Sequence, residues 1–377
     1  ISKRRDAKGW PMSHLVVIID RLCGEAVLRG ADIFVKGVVV ADMGIAKGEE
    51  VAVYADLMRG DKKILRGSQM ENYGGECVFL GLGIAECDRA TIFRENRGLG
   101  IKMCRQQTKR AGLLLPPING VLPSKMFVQN LPSILVGHAL GPRPGDVILD
   151  MCAAPGGKTN HLASLTNNNA TIIACDKSRR KMVTARQKFK SLGATCIVPL
   201  HLNSTNNVIR DGSKARSVKE MIGNANASEK DGLLNIKGFY PESFDKILLD
   251  PPCSALGLRP RLSMVTMGIE DLWKISEYQK KFVDNAVALL KSGGTMTYST
   301  CTFNSSENEK MVSYILSQHP SMKLVPIDIN FGLPGLTNKG LTEEQCQFVK
   351  RFDPSNESMD TMGFFVAKFV KATDYFN

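Results

Sequence analysis

Residues 150–159, Asp-Met-Cys-Ala-Ala-Pro-Gly-Gly-Lys-Thr, decide the fold of the second half of the chain. Gly156 and Gly157 let the backbone approach a ligand closely, and a helix that begins there offers unpaired N–H groups. A P-loop is excluded because its first glycine would fall at Cys152, and the spacing also differs from G-x-G-x-x-G. A strand–helix turn without a ligand is the alternative. The stretch predicts a strand, a ligand-binding turn and a helix.

From residue 145 onwards, the same alternation of strand and helix continues. Short Ile/Val/Leu-rich runs at 147–152, 171–176, 195–202, 244–250 and 295–300 predict strands, and residues 158–165, 179–192 and 269–290 have helical spacing. Residues 322–327 and 363–370 are candidates for two last strands. This alternation is typical of parallel strands joined by crossovers, which predicts a Rossmann-like, doubly wound α/β sheet. The polar residues 213–231 interrupt it and predict a long, mobile surface insertion.

The N-terminal part has a different pattern. Runs at 32–40, 50–53, 77–83 and 90–93 are β-like and are separated by glycines, which predicts a small β-barrel or sandwich. Residues 113–131 are rich in Leu, Pro and Gly and form the passage between the two patterns. We therefore expect one domain at 15–112 and a second at 113–377.

Charge and cysteine content restrict the partners. The net charge is +12, and residues 97–145 hold seven Lys/Arg with no Asp or Glu, which favours an RNA-binding track over a solvated connector. The ten cysteines are scattered without a C-x-x-C pair, so we expect reduced thiols in an intracellular protein and no metal site. The longest apolar runs are too short for a membrane span. The chain begins at Ile1, so we expect its native N-terminus to lie further upstream.

Further polar residues follow the predicted strands. Asp176 ends the second, where a carboxylate can accept ribose hydroxyls of a nucleoside. Asp250-Pro-Pro-Cys253-Ser follows the fourth strand and Ser-Thr-Cys301-Thr ends the fifth. The carboxyl ends of parallel strands meet at one crevice, so we expect both cysteines beside the cofactor.

Two thiols in such a crevice fit the methylation of cytosine at carbon 5. A thiolate that adds to carbon 6 makes carbon 5 nucleophilic enough to attack a sulfonium methyl group. An acid near ring nitrogen 3, for which Asp250 is the candidate, stabilises the developing charge. A second group then helps to remove the carbon 5 proton or to release the adduct. Placement at strand ends alone does not say which cysteine attacks.

Four stretches of the sequence together resemble the Sun/RsmB family of RNA cytosine-5 methyltransferases. They are residues 150–159, 174–178, 250–254 and 299–302. The resemblance covers residues 113–371 and implies S-adenosylmethionine as the cofactor. It implies Cys301 as the nucleophile, Cys253 in product release, Asp250 beside nitrogen 3 and Lys158 beside cofactor and base. In DNA cytosine methyltransferases the cysteine after the fourth strand attacks. The presence of a cysteine at position 301 disfavours that arrangement here.

The implied cofactor contacts are Cys152, Ala153, Ala154, Pro155, Gly156, Gly157, Lys158, Asp176, Asn203 and Asp250. Asn203 stands where the family usually has Asp, which puts the affinity for the cofactor in question.

The N-terminal part is similar to a PUA domain, a small RNA-binding β-barrel, in residues 28–38 and 47–53. A PUA domain ahead of a Sun-type domain resembles the sixth Sun-family branch, which methylates a cytosine near the 3′ acceptor end of tRNA. The resemblance implies a cytoplasmic tRNA-binding enzyme without an obligate protein partner. The candidate RNA contacts are Arg29, Lys36, Lys102 and Arg105.

Three alternatives stay open at this point. Adenine amino-methylation needs an aromatic residue where the chain has Cys253. A pseudouridine synthase would fit the PUA-like part, but it would not account for the turn that contains Gly156 and Gly157. The main alternative is a catalytically inactive RNA-binding protein that retains the methyltransferase fold, which Asn203 favours and the intact Cys253, Cys301, Asp250 and Lys158 disfavour.

Overall fold

The computed structural model describes residues 14–57, 65–106, 122, 124–212, 214–228, 231–234, 236–262 and 267–373. Its internal contacts define two compact units. The first comprises Ile1–Val121 with Pro260–Thr266, and the second comprises Leu122–Arg259 with Met267–Asn377. The boundary expected at residue 112 lies outside the described residues and stays a prediction.

The first unit is built on a six-stranded sheet. Its strands are β1 (Leu15–Ile19), β2 (Ile33–Phe34), β3 (Val38–Ala41), β4 (Glu50–Asp56), β5 (Cys77–Ala85) and β6 (Leu99–Gln106), in the order β2-β6-β5-β4-β1-β3. β1 and β4 run parallel, and the other neighbouring pairs run antiparallel. Alternate residues such as Val17, Ile19, Val51 and Val53 are fully buried in one core. This is the small β domain that the sequence predicts.

Two helices accompany this sheet, α1 (Arg21–Leu28) and α2 (Arg89–Arg94). The strand predicted at 90–93 is wrong, because these residues form α2. The Asp88 carboxylate accepts a hydrogen bond from the Thr91 backbone N–H and so caps the helix, while Ile92 packs into the core. The strand predicted at 32–40 is interrupted by a 3₁₀ turn at Val35–Gly37.

The second unit has an eight-stranded mixed sheet. Its strands are β7 (Val147–Asp150), β8 (Thr171–Asp176), β9 (Ile197–His201), β10 (Phe244–Leu249), β11 (Leu290–Thr300), β12 (Met322–Val325), β13 (Lys350–Phe352) and β14 (Phe364–Lys371). Strands β11-β10-β7-β8-β9 are adjacent in that order and parallel. β14 pairs antiparallel with β11, and β12 and β13 pair antiparallel with β14.

Helices cover both faces of this sheet. They are α3 (Leu131–Leu140), α4 (Gly157–Leu165), α5 (Arg179–Ser191), α6 (Val218–Gly223), α7 (Ile269–Leu289), α8 (Glu309–Gln318) and α9 (Glu343–Phe348). Along β7, Ile148 belongs to one apolar core and Leu149 to another, as expected for a sheet buried on both sides. The doubly wound prediction is thereby confirmed. The chain order reverses between β7 and β10, which places a crevice at their carboxyl ends.

The segment predicted as a mobile surface insertion is partly ordered. Ser217 and Glu220 form a reciprocal capping box at the start of α6, and Val218 and Met221 are buried in the core. The prediction of a surface loop is therefore wrong for residues 217–223. None of the helices in the described part of the chain is both long and apolar enough to cross a membrane.

Candidate active site

The glycine turn joins β7 to α4 as the sequence predicts. Gly156 has φ +102° and precedes the first residue of α4, a backbone conformation that favours glycine. A side chain at Gly156 would also collide with the Phe189 ring, because a Cβ atom there would lie 2.5 Å from it. Asp150, buried at the end of β7, accepts hydrogen bonds from the Thr159 hydroxyl and the Cys152 N–H. The packing of Gly156 against Phe189 and the hydrogen bonds of Asp150 therefore fix the conformation of the turn.

The predicted cofactor residues all lie at the carboxyl ends of β7, β8, β9 and β10. Asp176 ends β8, and one of its oxygens accepts a hydrogen bond from the Ser178 N–H at 2.7 Å. Asn203 is exposed after β9, and its amide oxygen accepts hydrogen bonds from the N–H and hydroxyl of Thr205. The Gly-rich turn, the open N-terminus of α4 and a carboxylate at the next strand fit a nucleoside-type cofactor such as S-adenosylmethionine. That cofactor supplies an electrophilic methyl group when bound.

Lys158 and Asp250 form an ion pair in the crevice, with 2.5 Å between Nζ and Oδ2. The Ser299 hydroxyl donates to the other oxygen of Asp250 at 2.9 Å. Burial acts to lower the pKa of Lys158, but the carboxylates of Asp250 and Asp150 outweigh it and raise that pKa. Lys158 therefore stays positively charged in the crevice.

The two predicted cysteines meet at the same place. The Sγ atoms of Cys253 and Cys301 are 3.3 Å apart, within hydrogen-bonding distance. A hydrogen bond from Cys253 lowers the pKa of Cys301, and the Lys158 ammonium adds to this, while burial and Asp250 oppose it. The same hydrogen bond raises the pKa of Cys253, as does its burial. The electrostatics favour a Cys301 thiolate that accepts a hydrogen bond from the Cys253 thiol.

A buried polar cluster behind the cysteines is missing from the sequence prediction. Ser254, Thr302, Glu307 and Gln279 are almost fully buried and connected by hydrogen bonds. One signal could have revealed it: three polar residues in succession, 307–309, follow the Thr-Cys-Thr strand end where α8 begins.

The predicted RNA contacts belong to the first unit. Arg29 is exposed at the end of α1, Lys36 is exposed in the turn after β2, and Lys102 is exposed on β6, the neighbour of β2. Arg105 lies on β6, and its side chain is outside the described residues. Within the described ranges, no cluster of three or more His, Cys, Asp or Glu could hold a metal ion.

Comparison with known proteins identifies both units. Residues 137–370 match the family model "16S rRNA methyltransferase RsmB/F", and residues 16–105 match the PUA domain model. The mouse tRNA (cytosine(72)-C(5))-methyltransferase NSUN6 is 38% identical over 94% of this chain and 74% of its own length. The Arabidopsis thaliana rRNA (cytosine-C(5))-methyltransferase NOP2C is 34% identical over 94% of this chain and 72% of its own.

Among solved structures, NSun6 from Pyrococcus horikoshii with SFG, an S-adenosylmethionine analogue, has a TM-score of 0.70 and 28% identity. The match covers 98% of this chain and 80% of that one. Nothing in these relatives supports the alternative of an inactive RNA-binding protein. The chain belongs to the RsmB/F (Sun) family of S-adenosylmethionine-dependent methyltransferases, which methylate carbon 5 of cytosine in RNA.

Proposed function

We propose that this chain methylates carbon 5 of cytosine 72 in tRNA, near the 3′ acceptor end, through a covalent bond between Cys301 and the base. The observation that carries the proposal is the pair of thiols 3.3 Å apart beside the Lys158–Asp250 ion pair. The position within tRNA is proposed from the names of the mouse, human and Pyrococcus horikoshii relatives. The cytoplasmic location and the absence of an obligate protein partner stay predictions.

The roles follow from the charges around the two thiols. Cys301, whose pKa is lowered by Cys253 and Lys158, adds as a thiolate to carbon 6 of cytosine. In this proposal the Lys158 ammonium stabilises the negative charge that develops on the ring during addition, and Asp250, which is ion-paired with Lys158, contacts the base near nitrogen 3. Carbon 5 then takes the methyl group. Loss of the carbon 5 proton and cleavage of the sulfur–carbon 6 bond restore the aromatic base, and Cys253 assists this release.

The test of the nucleophile is transfer of a labelled methyl group from S-adenosylmethionine to tRNA by the Cys301→Ala variant. We expect activity to fall to background, because in this proposal only the Cys301 thiolate adds to carbon 6. Cys196→Ala, which removes a half-buried thiol immediately before β9, is the matched control and should remain active. Methyl transfer by Cys301→Ala would overturn the assignment of the nucleophile.

Ribosomal RNA is the second candidate substrate, because the Arabidopsis relative is named as an rRNA methyltransferase and aligns over as much of this chain. Bisulfite sequencing of total RNA from cells with and without the protein distinguishes the two. We expect loss of 5-methylcytosine at position 72 of tRNA. If 5-methylcytosine were lost only at an rRNA site, the substrate would be rRNA and not tRNA. The proposed chemistry would be unchanged.

A further inference from the structure

Glu307 is a buried carboxylate that makes no direct contact with either thiol in the proposed mechanism. It lies in the turn between β11 and α8, and its exposed fraction is 0%. A charged group in such a place is costly unless hydrogen bonds replace its lost water. The hydrogen-bond partners of Glu307 therefore indicate its structural role.

Four donors surround the two carboxylate oxygens of Glu307. Oε2 accepts from the Ser254 backbone N–H at 3.0 Å and from Gln279 Nε2 at 2.9 Å. Oε1 accepts from the Ser254 hydroxyl at 2.6 Å and from Asn304 Nδ2 at 3.0 Å. All four partners donate, which suits an ionised carboxylate, a group that only accepts. A neutral side chain of the same shape could not accept all four.

Ser254 connects Glu307 to the residues that follow the two cysteines. Ser254 is the residue after Cys253, and its Oγ lies 2.8 Å from the Thr302 hydroxyl, the residue after Cys301. Because Ser254 donates to Glu307, the Thr302 hydroxyl donates to Ser254. One carboxylate is thus connected to the backbone of the Cys253 loop and to the turn that follows Cys301.

We infer that Glu307 is a positioning residue that sets the distance between the Cys253 and Cys301 thiols. The inference rests on the proposed roles of these cysteines, since their spacing matters to the reaction only if one acts on the adduct of the other. Displacement of a reacting group by about 1 Å can cost roughly 10²-fold in rate, so a loosened pair should turn over slowly. Glu307 is fully buried and acts through Ser254 and Thr302.

Glu307→Gln tests the inference, because glutamine keeps the shape but turns an NH₂ group towards donors. We expect kcat for methyl transfer to fall about 10- to 100-fold, with the KM for RNA changed less than about threefold. A trivalent arsenical, phenylarsine oxide, measures spacing independently of catalysis, since one arsenic atom binds two neighbouring thiols. Wild type should bind it at the cysteine pair, Cys253→Ala should not, and Glu307→Gln should bind it at least fivefold more weakly.

Asp245→Asn is the matched control. It removes a carboxylate at the start of β10, the opposite end of the strand that leads to Cys253, where Asp245 accepts from the Val147 N–H. It should keep both arsenical binding and kcat/KM. If Glu307→Gln does not fold, Ser254→Ala removes one of the four hydrogen bonds, and we expect it to weaken both readouts in the same direction but less.

A folded Glu307→Gln protein that binds the arsenical like wild type would overturn the inference, even if its activity fell. If the wild-type protein did not bind phenylarsine oxide, the 3.3 Å distance between the two Sγ atoms would itself be contradicted. Because arsenical binding needs no methyl transfer, these results are distinct from failure of the proposed function, which Cys301→Ala tests.

Discussion

The Cys253 and Cys301 sulfur atoms lie 3.3 Å apart, although the two residues are 48 positions apart in sequence. They follow the adjacent parallel strands β10 and β11, so the sheet register brings them together. At this distance one thiol donates a hydrogen bond to the other. That hydrogen bond lowers the pKa of Cys301, to which Lys158 adds, and raises the pKa of Cys253, which makes the pair unequal. The proposed division of labour between attack and release follows from this asymmetry.

We predict that Cys253→Ala accumulates a covalent RNA–protein adduct. The Cys301 thiolate can still add to cytosine, but the group that assists release is absent. The adduct should appear as a slower band on a denaturing gel and disappear on treatment with ribonuclease. Cys253→Ala combined with Cys301→Ala should give no such band. An adduct formed by Cys301→Ala and not by Cys253→Ala would reverse the two roles, as in the DNA enzymes.

The pH dependence of the nucleophile provides a second prediction, through Lys158. Its ammonium helps to lower the pKa of Cys301, so Lys158→Met should raise that pKa. The thiolate then forms only at higher pH, and the acidic limb of the kcat/KM profile should move to more alkaline pH. At pH 7 we expect activity to fall roughly 10²-fold, comparable to the loss of a preorganised charge in other active sites.

Lys158→Arg, which keeps the charge, is the control for this experiment. Its acidic limb should stay near that of wild type even if the rate is lower. The rate at which iodoacetamide modifies Cys301, followed by mass spectrometry across the same pH range, reports on the thiolate without RNA. An unchanged profile in Lys158→Met would show that Lys158 does not act on the thiol.

The sequence predicts the second unit well because its elements repeat one local pattern. The strand predicted at 171–176 matches β8 at both ends, and the helix predicted at 179–192 differs from α5 by one residue. The site residues follow from the same pattern, since polar groups that come directly after strands converge at one edge. Glu307 could not be found in this way, because its partners Ser254 and Gln279 are brought to it by packing between distant segments. The strand predicted at 90–93 is wrong because the cap supplied by Asp88 outweighs the β-like composition.

Asp150 should make the stability of the fold depend on pH. Burial raises its pKa from 3.8 to about 7, despite the hydrogen bond from Thr159. Between these values the folded chain holds a proton that the unfolded chain has lost, so this carboxyl contributes stability that is fully present below about pH 4. That contribution is lost as the pH rises to about 7, with a slope of at most about 1.4 kcal/mol per pH unit.

Asp150→Asn removes this dependence. The free energy of unfolding of the variant, relative to wild type, should therefore increase between pH 4 and 7 and then level off. Urea unfolding at several pH values measures the difference. Thr159→Val provides the complementary test, because loss of its hydrogen bond should raise the pKa of Asp150 further and extend the decline above pH 7. A difference that stays constant with pH would contradict the raised pKa.

The last prediction concerns RNA binding by the PUA domain, where Lys36 and Lys102 are exposed on neighbouring elements. Lysines that neutralise phosphates release counterions, so each lost contact should reduce the slope of log affinity against log salt concentration by roughly 0.7 to 0.9. We expect Lys36→Glu and Lys102→Glu each to weaken tRNA binding several-fold at 0.1 M salt and to lower this slope.

Lys47→Glu is the control. It makes the same charge change at an exposed position between β3 and β4 and should bind like wild type. Filter binding across a salt series measures both quantities. Equal losses in all three variants would mean that the lysines act through net charge alone, because a local contact cannot be shared by positions outside the binding surface.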